Sequence, residues 1–460
     1  MSAIPPGETQ EARVVAERAR TPRDPVRAAS FAVFAVFFLS GFNFASWASR
    51  LPAVRDGLGL DATRMGLLLL MASAGSLVAL PLAGTFIERF GARRTVVGSA
   101  ALNAGGLTLA AVGVALENVV LAGVGLVVYG VGTGVWDAAM NVEGAVVEQR
   151  LGRTVMPRYH AGFSLGTVAA AGIAAVAAGV HVPVVVHLPV ALGLSMVAVL
   201  VAVRAFLAAT DAATDAATDA GSGAHGDAAH ERAAAPSGAR RALAAWLEPR
   251  TLLIGLVVLA AALTEGAAND WVSLAVVDGF DTAHALGAVA LGVFLASMTG
   301  MRWFGTALLD RWGRVRVLRL CAGLALVGLA LFGLAPAMWL ALVGIVVWGA
   351  GAALGFPVGM SAAADDPLRA AARVSVVSTI GYSAFLAGPP LLGLLAEHVG
   401  YRHALLVILV PVALGILVSG AAAPLASATS SGTDTMADPA LAVPPETLAR
   451  ERADAPDERP

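Results

Sequence analysis

The stretch that decides the fold is Gly84-Thr-Phe-Ile-Glu88-Arg89-Phe-Gly91-Ala-Arg93-Arg94, which returns as Gly305-Thr-Ala-Leu-Leu-Asp310-Arg311-Trp-Gly313-Arg314-Val-Arg316. The acid–arginine pair recurs 222 residues later. Each copy sits between two long apolar blocks, so each reads as the charged turn of a greasy hairpin. Other pairs repeat at nearly the same distance. Trp47 and Trp271 are 224 apart, and Tyr129-Gly130-Val-Gly132 and Trp348-Gly349-Ala-Gly351 are 219 apart. Near-constant offsets predict a duplicated unit, as in parallel-repeat membrane proteins.

Working outward, twelve apolar blocks are long enough to cross a bilayer, which takes about 20 residues each. They run 28–49, 64–87, 95–116, 118–146, 158–180 and 182–207, then 250–276, 285–308, 315–335, 337–361, 373–397 and 401–423. Only His181, Val182 and Pro183 divide the fifth from the sixth. The fold class expected is all-α integral membrane, twelve transmembrane helices in two six-helix pseudo-repeats. The expected organisation is a tail at 1–27, a six-helix bundle at 28–207, a linker at 208–249, a second bundle at 250–423 and a tail at 424–460. Linker and tails lack the apolar residues for a core and read as disordered.

Composition agrees. Hydrophobic residues make up 58% of the 460 and charged residues 13%, with mean hydropathy +0.77. A soluble domain carries about 25% charged residues. All 30 basic residues are arginine. Without lysine a Walker phosphate loop cannot form, which argues against an ATP-driven engine. A net charge of −2 predicts no nucleic-acid partner. One cysteine, Cys321, excludes a cysteine-based metal cluster. Neither cofactor nor metal is expected, and no Ser/His/Asp set with supporting spacing points to an enzyme.

Arginines cluster at alternate turns. One side holds Arg89, Arg93, Arg94, Arg150, Arg153, Arg158, Arg302, Arg311, Arg314, Arg316, Arg319, Arg369 and Arg373. The other holds Arg50, Arg55, Arg64 and Arg402. The positive-inside rule then puts both termini in the cytoplasm.

The paired turn motifs within twelve helices resemble the major facilitator superfamily, whose turn between helices two and three reads G-x-x-x-D-R-x-G-R-R or close to it. Glu88 stands where aspartate is usual, and Asp310 supplies it in the second copy. The resemblance implies secondary transport by alternating access, by a chain working as a monomer. It also implies that Gly84, Glu88, Arg89, Gly91, Arg93, Gly305, Asp310, Arg311, Gly313 and Arg314 form gating latches. More narrowly, three segments resemble a bacterial inner-membrane permease subgroup related to fucose permeases. They are Trp136-Asp137-Ala-Ala-Met-Asn141-Val-Glu143-Gly144, Pro157-Arg158-Tyr-His160-Ala-Gly-Phe163-Ser164-Leu-Gly166 and Glu265-Gly266-Ala-Ala-Asn269-Asp270-Trp271.

Ionisable groups within a membrane usually face a cavity or a partner. Asp137, Glu265 and Asp270 are therefore candidates to carry a proton, since burial disfavours the charged form of a carboxylate. Asp137 and Asn141 lie four apart on one helical face, as do His160 and Ser164, and Glu265 and Asn269. Asn43, Asn141, His160, Ser164 and Asn269 are candidate hydrogen-bonding groups for a solute. Trp47, Trp136 and Trp271 are candidates to stack on its ring. Partners expected are a small molecule, a proton and the bilayer. A sugar or related polar metabolite fits these groups best. Export of amphipathic compounds, or a non-transporting sensor or scaffold, are the competing readings.

Overall fold

The computed structural model describes residues 23–153, 155–207, 244–366 and 369–425. The expected linker at 208–249 and the two tails lie mostly outside the described residues. Hydrocarbon offers backbone N–H and C=O groups no partner, so a chain this apolar crosses it as helix. Every regular element described is helical. In chain order they are α1 (Arg23–Ala48), α2 (Leu51–Leu58), α3 (Ala62–Ala115), α4 (Val119–Leu151), α5 (Met156–Gly179), α6 (Val184–Ala202), α7 (Pro249–Gly279) and α8 (His284–Trp312). Then come α9 (Arg314–Leu334), α10 (Met338–Ala352), α11 (Gly355–Ala363), α12 (Ala370–Val399), α13 (Tyr401–Ala404) and α14 (Leu409–Val418).

Eleven described segments are long and apolar enough to span. One of them, α3, has 54 residues and as a straight rod would reach about 81 Å, against a hydrocarbon core of about 30 Å. It is two crossings. Gly91, at φ 75° and ψ 157°, breaks the helix between them. The Thr95 hydroxyl reaches back to the Phe86 carbonyl at 3.2 Å. That makes twelve crossings, as the sequence predicts. The second copy turns the same way, with Gly313 at φ 76° and ψ 162°. Only glycine holds this backbone without strain, which is why the motif keeps it in both halves. The fifth and sixth crossings part where expected, with His181 at φ 58°.

Short polar caps set the other ends. The Asp61 carboxylate accepts from the Arg64 N–H at 2.7 Å and opens α3. Asn118 does the same for α4 through Leu121, at 3.0 Å. Such caps each stabilise a helix by about 1 kcal/mol. Between the first two crossings lies α2, a short helix closed by Gly59 in the left-handed region.

The repeat extends to the packing. A β-carbon placed on Gly106 would lie 2.4 Å from the Tyr129 nitrogen and 2.6 Å from the Gly125 oxygen. On Gly328 it would lie 2.2 Å from the Trp348 nitrogen and 2.7 Å from the Gly344 oxygen. Gly106 and Gly328 are 222 apart, whereas Tyr129 and Trp348 are 219 apart. The second copy is simply three residues shorter across this hairpin. In both halves the third and fourth crossings touch backbone to backbone, the close approach that small residues permit in membranes.

Substituting Gly106→Val or Gly328→Val is expected to cost at least about 1–3 kcal/mol through overpacking. Both should lower the thermal unfolding midpoint in detergent. The neighbouring Gly105→Val, whose β-carbon meets nothing within 4 Å, should not. Equal midpoints for the three variants would contradict backbone-to-backbone packing.

Candidate functional site

Three approaches across the molecule mark a central crevice. Asp137 of α4 is exposed and lies within electrostatic range of Tyr382 of α12. His160 of α5 is exposed and within range of Arg302 of α8. Asp270 of α7 is within range of Tyr129 of α4. In each pair one residue comes from the first six crossings and one from the last six, so these groups face inward.

Asp137 and Asn141 share a helical face, whereas His160 is exposed and Ser164 is buried. The Asn141 amide donates to the Asp137 carbonyl at 2.8 Å and approaches its carboxylate at 3.4 Å. Glu265 accepts twice from the Arg302 Nη2, at 3.1 and 3.0 Å. The Arg302 Nε donates to the Ala353 carbonyl at 3.1 Å, which ties α8 to the break between α10 and α11. Asn269 is half-buried, and its Oδ1 has no partner among the described residues. Phe356, Tyr382 and Phe385 form a run of tilted rings, with centroids 6.0 and 6.3 Å apart, beside Asp137.

Five expected contacts lie elsewhere. Asn43 is buried and donates to the Asn103 Oδ1 at 2.9 Å; Asn103 donates to the Thr133 hydroxyl at 3.0 Å. This chain pins the first, third and fourth crossings together. Trp136 is sealed among Phe37, Met140 and Tyr159, because a fully enclosed apolar slot favours so large a ring. Trp47 is also buried in core. Trp271 packs its ring on Tyr401 at 5.5 Å. The buried Ser164 hydroxyl donates to the His160 carbonyl on its own helix at 3.3 Å. Sequence reasoning assigns none of Asn103, Thr133, Arg302 and Tyr382 to a site. For two of them a signal exists: Asn103 and Arg302 are polar residues inside predicted apolar blocks. Arg302, expected among the loop arginines, belongs to a spanning helix and answers Glu265.

The two ends of the crevice differ. The hydrogen bonds that join the two six-helix halves gather at the end that carries Arg55. The Arg55 Nη1 donates to Asp278 at 2.8 Å. His284 meets Asp56 at 2.8 Å. Glu397 accepts from the Ala62 N–H at 3.1 Å, capping α3 from the other half. The buried Ser273 hydroxyl reaches the Ala48 carbonyl at 3.4 Å. At the motif end a second set of bonds works within the second half. Arg314 and Arg250 both hold Asp365, at 2.8 and 2.9 Å. The Arg373 Nε donates to Glu248 at 2.8 Å and holds its carboxyl below the usual range.

Of the expected gating residues, Glu88, Arg89, Arg93, Asp310 and Arg311 are exposed, with no hydrogen bond or ion pair among the described residues. Gly84 is exposed, and Gly305 packs on Leu354. The ties between the halves thus gather at the Arg55 end, and of the charged gating residues only Arg314 is paired among the described residues, with Asp365.

The match to known proteins is wide. The family model for the Major Facilitator Superfamily matches residues 33–382 and 307–445. An uncharacterized transporter, y4wD, of Sinorhizobium fredii (strain NBRC 101917 / NGR234) is 31% identical over 390 residues, 83% of this chain and 97% of that one. The crystal structure of the nucleoside transporter NupG superposes with TM-score 0.64 at 16% identity, over 85% of this chain and 98% of its own. A crystal structure of the E. coli fucose:proton symporter FucP gives TM-score 0.53 at 15% identity, over 86% and 98%. The structural likenesses carry the fold alone. With the family model covering most of the chain and the paired glycine turns in place, the chain belongs to the Major Facilitator Superfamily.

Proposed function

We propose that this transporter is a proton-coupled symporter of a small hydroxylated solute, a sugar or related metabolite, and that Asp137 carries the proton. One observation carries the reading. Asp137 is an accessible acid on a spanning helix, facing the other half, with no ion pair among the described residues. Such an acid can gain and lose a proton as the crevice changes sides. Glu265, by contrast, is held by two charge-assisted hydrogen bonds from Arg302, and such bonds are about twice as strong as neutral ones. The ring run Phe356–Tyr382–Phe385 offers a stacking face, and the Asn141 and Asn269 amides offer hydrogen bonds. The fucose and nucleoside named for the two structural neighbours are hydroxylated solutes of this kind.

Arginine placement supports the orientation. The motif end bears most of the loop arginines and faces the cytoplasm of a bacterial inner membrane, with both termini on that side. The crevice is then open inward, and the contacts at Arg55 close the outer gate. One chain suffices for the pathway.

In proteoliposomes under an imposed pH gradient, Asp137→Asn should lower the accumulation of labelled sugars by roughly tenfold or more while exchange without a gradient persists. Accumulation at the level of the natural protein would remove Asp137 from the coupling role. Glu265→Gln should instead impair binding and uptake together, because it strands the Arg302 charge.

The gate has its own signature. Cys321, the sole cysteine, is buried, so an added cysteine reports alone. A Ser273→Cys thiol should be shielded from an impermeant maleimide. Arg55→Ala should raise its labelling about fivefold, a shift of about 1 kcal/mol, the upper range for a surface pair. Unchanged labelling would separate Arg55 from the gate.

A further inference from the structure

A second place in the molecule gathers buried polar atoms without a partner among the described residues. Arg50, just past the end of α1, is 5% exposed. Its Nη2 donates to the Val182 carbonyl at 2.7 Å, but its Nε and Nη1 have no partner among the described residues. His187, in the first turn of α6, is 7% exposed, and among the described residues neither ring nitrogen has a partner. The two side chains lie within electrostatic range of each other. The neighbouring Ser49 hydroxyl also has no partner among the described residues. Leaving one buried donor unmet costs about 1–3 kcal/mol, and more when it is charged. Among the described residues no acid acts on either the Arg50 guanidinium or the His187 imidazole, so an anion would complete the cluster. Burial without an acidic partner pulls the Arg50 pKa below its usual value.

Below this cluster runs an apolar groove. It separates α6 from α1 and α5, has a volume of about 430 Å³, and reaches from Val182 and His187 down to Phe38 and Leu194. That volume falls within the ordinary range for a small-molecule pocket. Val190 and Leu194 on its wall are 58% and 68% exposed, so the groove opens sideways, where the bilayer lies. From His187 to Leu194 is seven residues, about 10 Å of helix. A polar head at the membrane surface and a narrow greasy channel beneath it describe one kind of molecule.

We propose that the groove holds one anionic phospholipid from the leaflet at the Arg55 end. Its phosphate lies between Arg50 and His187, and one acyl chain lies against Phe38, Phe42, Val190 and Leu194. The phosphate oxygens accept from Nε and Nη1 of Arg50 and from a ring nitrogen of His187. A guanidinium suits phosphate because its donors form a planar fork. The acyl chain covers apolar surface between helices that otherwise leave a gap. The site is separate from the central crevice, since none of Asp137, His160, Asp270 and Tyr382, which mark the crevice, lines the groove.

The test is native mass spectrometry of the full purified chain in detergent, titrated with dioleoyl phosphatidylglycerol, dioleoyl phosphatidylcholine or inorganic phosphate. The natural protein should retain one phosphatidylglycerol roughly tenfold or more tightly than phosphatidylcholine, the scale of paired charge-assisted bonds. The pair Arg50→Gln and His187→Gln should reduce that preference to about twofold or less. Val190→Trp, at an exposed position on the groove wall, should displace both lipids. If the charge variant fails to fold, Val190→Trp alone decides. Retention unchanged by Val190→Trp would place the lipid elsewhere and overturn the proposal. So would displacement of phosphatidylglycerol by millimolar inorganic phosphate, which would mark a site for a free anion.

Discussion

The close contact of the third crossing on the fourth is what the rest of each half is built around. Between membrane helices there is no hydrophobic drive, because lipid tails are as apolar as leucine. Association must come from dispersion and from few polar contacts. Dispersion falls steeply with distance, so backbones that touch gain most. Gly106 against Tyr129 and Gly328 against Trp348 are such contacts. The fourth crossing is thereby fixed in depth and rotation, and Asp137 is carried on it. The acid faces the crevice because the glycines upstream have already set the helix.

The first half adds a polar pin that the second lacks. Asn43, Asn103 and Thr133 tie three crossings by hydrogen bonds of 2.9 and 3.0 Å. The positions 222 residues beyond Asn43 and Asn103 are Glu265 and Ala325. In the second half the polar contact has moved to Glu265 and Arg302, at the crevice rather than in the core. Duplication conserved the backbone contacts and let the polar ones diverge. A scaffold of paired glycines tolerates this, since its packing does not use those side chains.

The parts legible in sequence are those written in periodicity and repetition. Twelve crossings follow from block lengths, and the glycine turns from the motif. The shared face of Asp137 and Asn141 follows from four-residue spacing. What escapes is decided by tertiary contact. Periodicity places Trp136 on a helix but cannot tell a crevice wall from a sealed slot, since an indole suits either. Arg302 reads as a loop arginine because it stands near the motif. Its place inside the apolar block 285–308 hints that it belongs inside, and the position of Glu265 on α7 shows what it answers. The bonds from Arg55 to Asp278 and from Asp56 to His284 join residues 223 and 228 apart. No local pattern announces such pairs.

The two ends of the crevice must exchange roles if solute is to move, and the energetics allow it. At the Arg55 end the bonds are partly exposed, with side-chain exposures of 14% for Arg55 and 50% for Asp278. Such pairs contribute about 0.2–1 kcal/mol each. A handful of them sums to the few kcal/mol that separate two populated states. Deeply buried pairs would lock that end, since breaking one costs about 3–5 kcal/mol. The Glu265–Arg302 pair lies nearer that regime, with exposures of 20% and 31%, and it sits within one half. Rocking the halves therefore need not break it. The weak polar contacts cross the moving boundary, while the stronger pair moves as part of a rigid body. Asp137 and Asp270, each facing the other half with no ion pair among the described residues, are the acids whose surroundings such a motion would change.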